Sequence, residues 1–242
     1  MTTKVKIGTC GFGVSKVEYA RSFSCVEVQN TFYQPPQIST LERWRQGVPT
    51  SFEFTLKAWQ LITHEARSPT YRRLKKKLSE IEKREAGSFK PTSIVREAWE
   101  VTRACAEALK ARTILFQCSA SFTQTKENVS NMEEFFSSID RGDFNFCWEP
   151  RGAWDKDVVR SICSDLKLSH VVDPFLAKTV TPRKSYFRLH GRTGWKYKYE
   201  EGELRELAAM LAKRPGPYVF FNNASMTSDA LRFRAIVAEG GA

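Results

Sequence analysis

Apolar and polar residues alternate in short runs along this chain, and helical patterns fill the spaces between the runs. Strand-like segments fall near Val5–Thr9, Cys25–Asn30, Phe52–Lys57, Thr113–Cys118, Phe144–Glu149, His170–Asp173, Ser185–His190 and Tyr218–Asn222. Strands alternating with helices predict a parallel sheet covered by helices. Eight such units in 242 residues match the size of a (β/α)8 barrel. An open doubly wound sheet competes with it, but Gly8, Gly11 and Gly13 do not make its Gly-x-Gly-x-x-Gly fingerprint. The expectation is a single TIM-barrel-like α/β domain over residues 1–242.

One connection is about twice the usual length, between the third and fourth strands. Ser68-Pro69 reads as a helix start, Tyr71–Arg84 as a basic helix, and Lys90-Pro91-Thr92-Ser93 as a break. Ile94–Leu109 then resumes a helix with Ile94, Ala98, Val101 and Cys105 on one face. The pattern predicts a basic helical insertion at about residues 65–110, near the C-terminal ends of the strands.

Alternation also sorts the strand residues by face. If Val26 and Val28 face the helices, Glu27 and Gln29 face inward; likewise Thr55 and Lys57 against Phe54 and Leu56. Glu149 ends the fifth strand, Asp173 the sixth and Asn222 the eighth. The seventh, Tyr186–His190, sets Phe187 and Leu189 on one face against Tyr186, Arg188 and His190 on the other. A strand with a guanidinium and an imidazole on one face is not a plain core strand, because burying either charge unpaired is costly. Barrel active sites lie at the C-terminal strand ends, where these side chains are expected to converge.

Composition narrows the chemistry less than the pattern does. The formal charge is +11, and eight Lys/Arg against two acids lie between Arg67 and Arg84, a field that attracts phosphates and nucleic acids. The six cysteines, Cys10, Cys25, Cys105, Cys118, Cys147 and Cys163, show no Cys-x-x-Cys spacing and read as reduced, buried thiols. No apolar run approaches the ~20 residues that span a bilayer. Met1-Thr2-Thr3-Lys4 leads straight into a strand-like segment, so the expectation is no leader, no membrane partner and a cytoplasmic address.

The ordered segments Gly8–Phe12, Val26–Tyr33, Phe54–Ala58, Ile62–His64, Trp148–Arg151, Tyr186–Arg192 and Phe220–Asn223 resemble the pattern of the YecE-like family, domain of unknown function 72. The resemblance runs from Ile7 to about Arg234. Trp148 stands where family members usually carry phenylalanine, and Cys10 where they carry a hydroxyl. The resemblance implies a TIM-barrel-like fold and no agreed reaction.

Among candidate side chains, Glu149, Asp173 and His190 suit acid–base work, with Glu149 or Asp173 as base and His190 as acid. Glu149 is alternatively a metal ligand or a structural partner of Arg188, and for Glu27 the neighbouring Lys57 offers an ion pair. Lys57, Arg188 and Arg192, with Asn30 and Asn222 as neutral donors, form the elements of a phosphate or carboxylate clamp. Tyr33 and His64 are placed beside them, whereas His170 reads as a satisfied buried ring. Glu149, Asp173 and His190 offer ligands for zinc, manganese or iron, but the cations nearby oppose a metal, and no cofactor is predicted. Gly194–Tyr199 alternates lysines with rings, a composition suited to stacking bases or sugars. Three functions are compatible with these residues. The chain is a hydrolase acting on a phosphate-bearing or nucleic-acid substrate, a non-catalytic nucleic-acid-binding protein, or a carbohydrate-directed enzyme using Glu27 and Glu149. Oligomeric state is not legible.

Overall fold

A computed structural model describes residues 5–240; the start read at Met1–Lys4 lies outside the described residues. In chain order the elements begin β1 (Lys6–Thr9), α1 (Lys16–Ser22), β2 (Cys25–Val28), α2 (Asn30–Tyr33), α3 (Ile38–Gln46) and β3 (Glu53–Lys57). There follow α4 (Gln60–Thr63), a 3-10 turn at Pro69–Arg73, α5 (Glu80–Glu85), α6 (Ser93–Leu109) and β4 (Thr113–Gln117). The remainder is α7 (Lys126–Ser138), β5 (Asn145–Glu149), α8 (Lys156–Asp165), β6 (Ser169–Val172), β7 (Tyr186–Leu189), α9 (Glu201–Leu211), β8 (Tyr218–Phe221) and α10 (Met226–Glu239). Eight parallel strands alternating with helices are the (β/α)8, TIM-barrel-like class. No helix among the described residues is long and apolar enough to cross a membrane.

The chain divides into two compact units. One is built from the chain up to Glu27, Gly47–Glu53 and the chain from Ser169 onward; the other from Val28–Gln46 and Phe54–Leu168. In the first, β1 pairs with β8 in the register Lys6↔Tyr218, β8 with β7, and β7 with β6, all parallel. A parallel bridge joins Cys10 to Glu27. Tyr186, Tyr218 and Phe220 pack ring on ring along these strands, and Phe221 packs on Phe233 of α10.

The second unit is held by β3–β4–β5, again parallel, with Lys57 opposite Leu115 and Gln117 opposite Glu149. Its core is aromatic: Trp99 of α6 meets Phe116, Phe135 and Phe146. Burying each large ring contributes roughly 1.5–3 kcal/mol, so α6 is fixed mainly by that face. The helix ends at Lys110, which takes the left-handed conformation at φ 51° and donates to the Ala106 and Glu107 carbonyls. Of the four residues expected on the buried face of this helix, Ile94, Ala98 and Cys105 are buried, while Val101 is 36% exposed. Seven residues from Ile94 accumulate a rotation that carries Val101 to the edge of the apolar stripe.

The continuous basic helix expected at Tyr71–Arg84 does not form. Ser68 caps the short 3-10 turn Pro69–Arg73, residues 74–79 are non-helical, and Ser79 opens α5 with a capping box to Glu82. Five cations among six residues (Arg72, Arg73 and Lys75–Lys77 around Leu74) disfavour a helix that would stack like charges at i, i+3 and i, i+4. The excursion returns beside α4, where Gly87 N–H donates to Leu61 and Phe89 N–H to Ile62. Gly87 has φ +84°, and a Cβ there would lie 2.3 Å from the His64 carbonyl, so the return admits only glycine without strain.

Candidate functional site

The unit carrying β3–β5 gathers polar side chains at its strand ends. Lys57 ends β3, Gln117 ends β4 and Glu149 ends β5. Gln117 Nε2 donates to Glu149 Oε1 at 3.1 Å, and Arg151 Nη1 reaches the same oxygen at 3.1 Å. Glu149 is buried and Arg151 half in water. The carboxylate is thus oriented by an amide and a guanidinium from its own sheet edge and loop.

Lys57 is only 5% exposed, and its Nζ stands 3.4 Å from the centroid of Phe32. A desolvated ammonium over an aromatic face gains about 2 kcal/mol or more. The Lys57 carbonyl is fixed from below by Thr31 Oγ1 at 2.7 Å. His64 packs its ring edge-on to Phe32, 4.9 Å between centroids, and Nδ1 meets Thr63 Oγ1 at 2.8 Å. Burial first, and the Lys57 charge second, push its pKa down to about 3, so the ring is neutral at physiological pH. Tyr33 carries the Arg73 guanidinium 3.5 Å over its ring, while Asn30 is exposed at the start of α2. Two further bonds dock the basic excursion on this corner. Tyr71 Oη donates to the His64 carbonyl at 2.7 Å, and Lys75 N–H donates to Gln34 at 3.0 Å. Lys57, His64, Tyr33 and Glu149, anticipated from the pattern, therefore lie in this unit. Gln117 and Arg151 carried no expectation, and Arg73 only as one cation of the Arg67–Arg84 field. A lone amide closing the apolar run Thr113–Phe116 was the available sign of Gln117; nothing local marks Arg73 among its cationic neighbours.

The other unit holds a buried network and a strand-end pair. Glu27 is fully buried and Arg188 1% exposed. Arg188 Nε reaches Oε1 and Oε2 of Glu27 at 3.1 and 3.0 Å, and Nη2 reaches Oε1 at 2.9 Å. Tyr186 Oη donates to Oε2 at 2.5 Å, and the Cys10 thiol lies 3.3 Å from Oε1. Burial, then the Glu27 charge, drive the Cys10 thiol well above its usual pKa, so it stays protonated. Nearer the strand ends, His190 Nδ1 meets Asn222 Nδ2 at 3.1 Å. Asp173 accepts the backbone N–H of His190 at 2.9 Å and that of Phe175 at 3.1 Å, which fixes the position of His190. Arg192 is exposed, with its guanidinium on Glu203 at 2.9 Å and over the Phe175 ring at 4.6 Å. His170 is buried and its Nδ1 accepts the Val180 N–H at 3.2 Å, a satisfied core ring as expected. All six cysteines are free and buried. Among the described residues no group of three or more His, Cys, Asp or Glu side chains is arranged to hold a metal ion.

Solved structures share this fold across nearly the whole chain. A DUF72 family protein from Enterococcus faecalis superposes with TM-score 0.74 at 21% identity, over 97% of this chain and 96% of that one. One from Thermotoga maritima gives 0.69 at 20% identity, over 97% and 99%. A family 2 AP endonuclease from Brucella melitensis gives 0.57 at 12% identity, over 97% and 98%. No curated protein matches. The family model described as "Protein of unknown function DUF72" matches residues 17–239, and the chain belongs to that family.

Proposed function

We propose that the strand ends of the β3–β5 unit bind a phosphate-bearing substrate and that Glu149 serves there as general base in its hydrolysis. The observation that carries this reading is the pair of cations mounted on ring faces, Lys57 on Phe32 and Arg73 on Tyr33, in the same unit as a carboxylate held by Gln117 and Arg151. Lysine meets a phosphate as a point charge and arginine as a planar fork. Neutral His64 adds a hydrogen-bonding ring without adding charge. In the reaction, water attacks phosphorus, its proton passes to Glu149, and the ester P–O bond breaks with its electron pair on the leaving oxygen, which is then protonated. General-base help of this kind contributes roughly 10²–10⁴ in rate. His190, positioned by Asn222 and Asp173, is proposed as an acid–base residue of its own unit. Six buried free thiols fit a reducing compartment, and we propose the cytoplasm.

The test uses a chromogenic aryl phosphodiester together with a fluorescent oligonucleotide. Lys57→Met, which keeps the packing on Phe32, is expected to weaken binding of both at least tenfold. Glu149→Gln is expected to preserve affinity and remove turnover. Binding that is intact in Lys57→Met overturns the site. Oligonucleotide binding with no turnover in the unaltered protein overturns catalysis and leaves a binding protein, the reading favoured by the exposed cations Arg72, Arg73, Lys75 and Lys77 of the docked excursion.

A further inference from the structure

We propose that Trp195 is a stacking platform for an unpaired nucleobase of a single-stranded nucleic acid, a site argued within the β7–β8 unit and independent of the phosphate site proposed for β3–β5. Trp195 is 65% exposed at the tip of the loop after β7. A large ring left in water on a mobile loop would need no explanation, but this loop is pinned along its length. Gly191 N–H donates to Tyr199 Oη at 2.9 Å, and Tyr197 N–H closes a turn on the Gly194 carbonyl at 3.0 Å. The Trp195 carbonyl itself accepts the Ala224 N–H at 2.6 Å, which ties the tip to the loop after β8.

Beneath the tip lies a buried polar lock. Asp229, fully buried, accepts from Asn223 Nδ2 at 2.7 Å and from the Tyr199 backbone at 3.3 Å. Asn223 Nδ2 also donates to the Tyr197 carbonyl at 2.7 Å, and Arg232 to the Tyr199 carbonyl at 2.7 Å. Buried polar networks of this kind order the backbone at a cost in desolvation, and here the ordered segment presents a ring that contributes little to the fold. Gly191 (φ +87°) completes the constraint, since a Cβ there would lie 2.3 Å from the Gly194 carbonyl oxygen. After the ring, Lys196 and Lys198 are exposed, with Lys196 Nζ 5.9 Å from the Trp195 centroid. A rigid, exposed ring followed by two exposed lysines matches a nucleotide, whose base has a flat face and whose backbone is anionic. Neither a free phosphate nor a neutral sugar uses both features.

The test measures binding of two labelled twelve-mers, oligothymidine and an abasic strand of equal phosphate count, by fluorescence anisotropy on the full chain. Trp195→Ala is expected to weaken oligothymidine binding about tenfold, the size of one lost base–aromatic stack. It should leave the abasic strand unchanged, and Trp195→Phe should retain most of the affinity. Equal loss on both strands, or no loss on either, overturns the stacking platform. If Trp195→Ala selectively weakens oligothymidine while Lys57→Met leaves the abasic strand unaffected, the phosphate site falls and the platform stands. If neither strand binds the unaltered protein, both fall.

Discussion

Two sets of buried polar side chains, the Arg188–Glu27 pair and His64, yield direct tests of stability. Arg188 and Glu27 form a forked ion pair with essentially no exposure. Removing one member leaves a buried charge without its partner, so Arg188→Ala is expected to lower stability by about 3–5 kcal/mol, read as a fall in the urea midpoint. Replacing both with apolar residues of similar volume, Arg188→Met with Glu27→Leu, is expected to recover most of that loss. His64 supplies the second test. Its pKa is about 3 in the fold against 6.5 as a free side chain, so between these values the unfolded chain binds the extra proton. Stability is therefore complete above pH 6.5 and falls as the pH drops toward 3, by about 3 kcal/mol between pH 7 and pH 4 for this one group. Denaturant titrations should show that part of the acid sensitivity gone in His64→Gln. Strand alternation could place Glu27 inward, but it could not say that the side chain meeting it stands 161 positions later. Which charges meet is a property of register and closure, and neither is written locally.

At the level of elements, the parallel strands were readable because their residues alternate or run apolar for four to six positions. Their observed ends lie within two residues of the expected ones, with Asn30 beginning α2 instead of ending β2. The stretch from Tyr71 to Arg84 was not readable in the same way. Its helical periodicity is real, but Ser79 offers a stronger local start than the preceding lysines offer a continuation. What holds that excursion is a glycine conformation and a set of docking bonds, none of which leaves a periodic mark in the sequence. Gly87→Ala is the corresponding prediction. It combines a strained φ with a contact far inside van der Waals distance of the His64 backbone. A loss of about 2 kcal/mol or more is expected, with amide exchange rising first at Gly87–Phe89 and in α4.

For the molecule as a whole, the charge of +11 becomes a quantitative statement only with salt as a variable. The proposed binding of single-stranded nucleic acid should fall log-linearly with salt, with a slope near −0.7 for each phosphate neutralised. Neutralising Lys75 and Lys77 together should flatten that slope by about 1.4, because both side chains are exposed on the docked excursion. A slope unchanged in the double variant would mean that the excursion makes no contact with the polyanion.

The pairing of β1 with β8 has a further consequence, in time. Lys6 lies beside Tyr218, and the Cys10 N–H donates to the Phe221 carbonyl at 2.9 Å, so one edge of the first strand waits for the last. At about 5–20 residues added per second, that edge stays open for on the order of ten to forty seconds of synthesis. Throughout that interval a newborn chain carries an unsatisfied strand edge into a crowded cell. The protein's yield should then depend on what shields β1 until β8 has been made, as well as on its final stability.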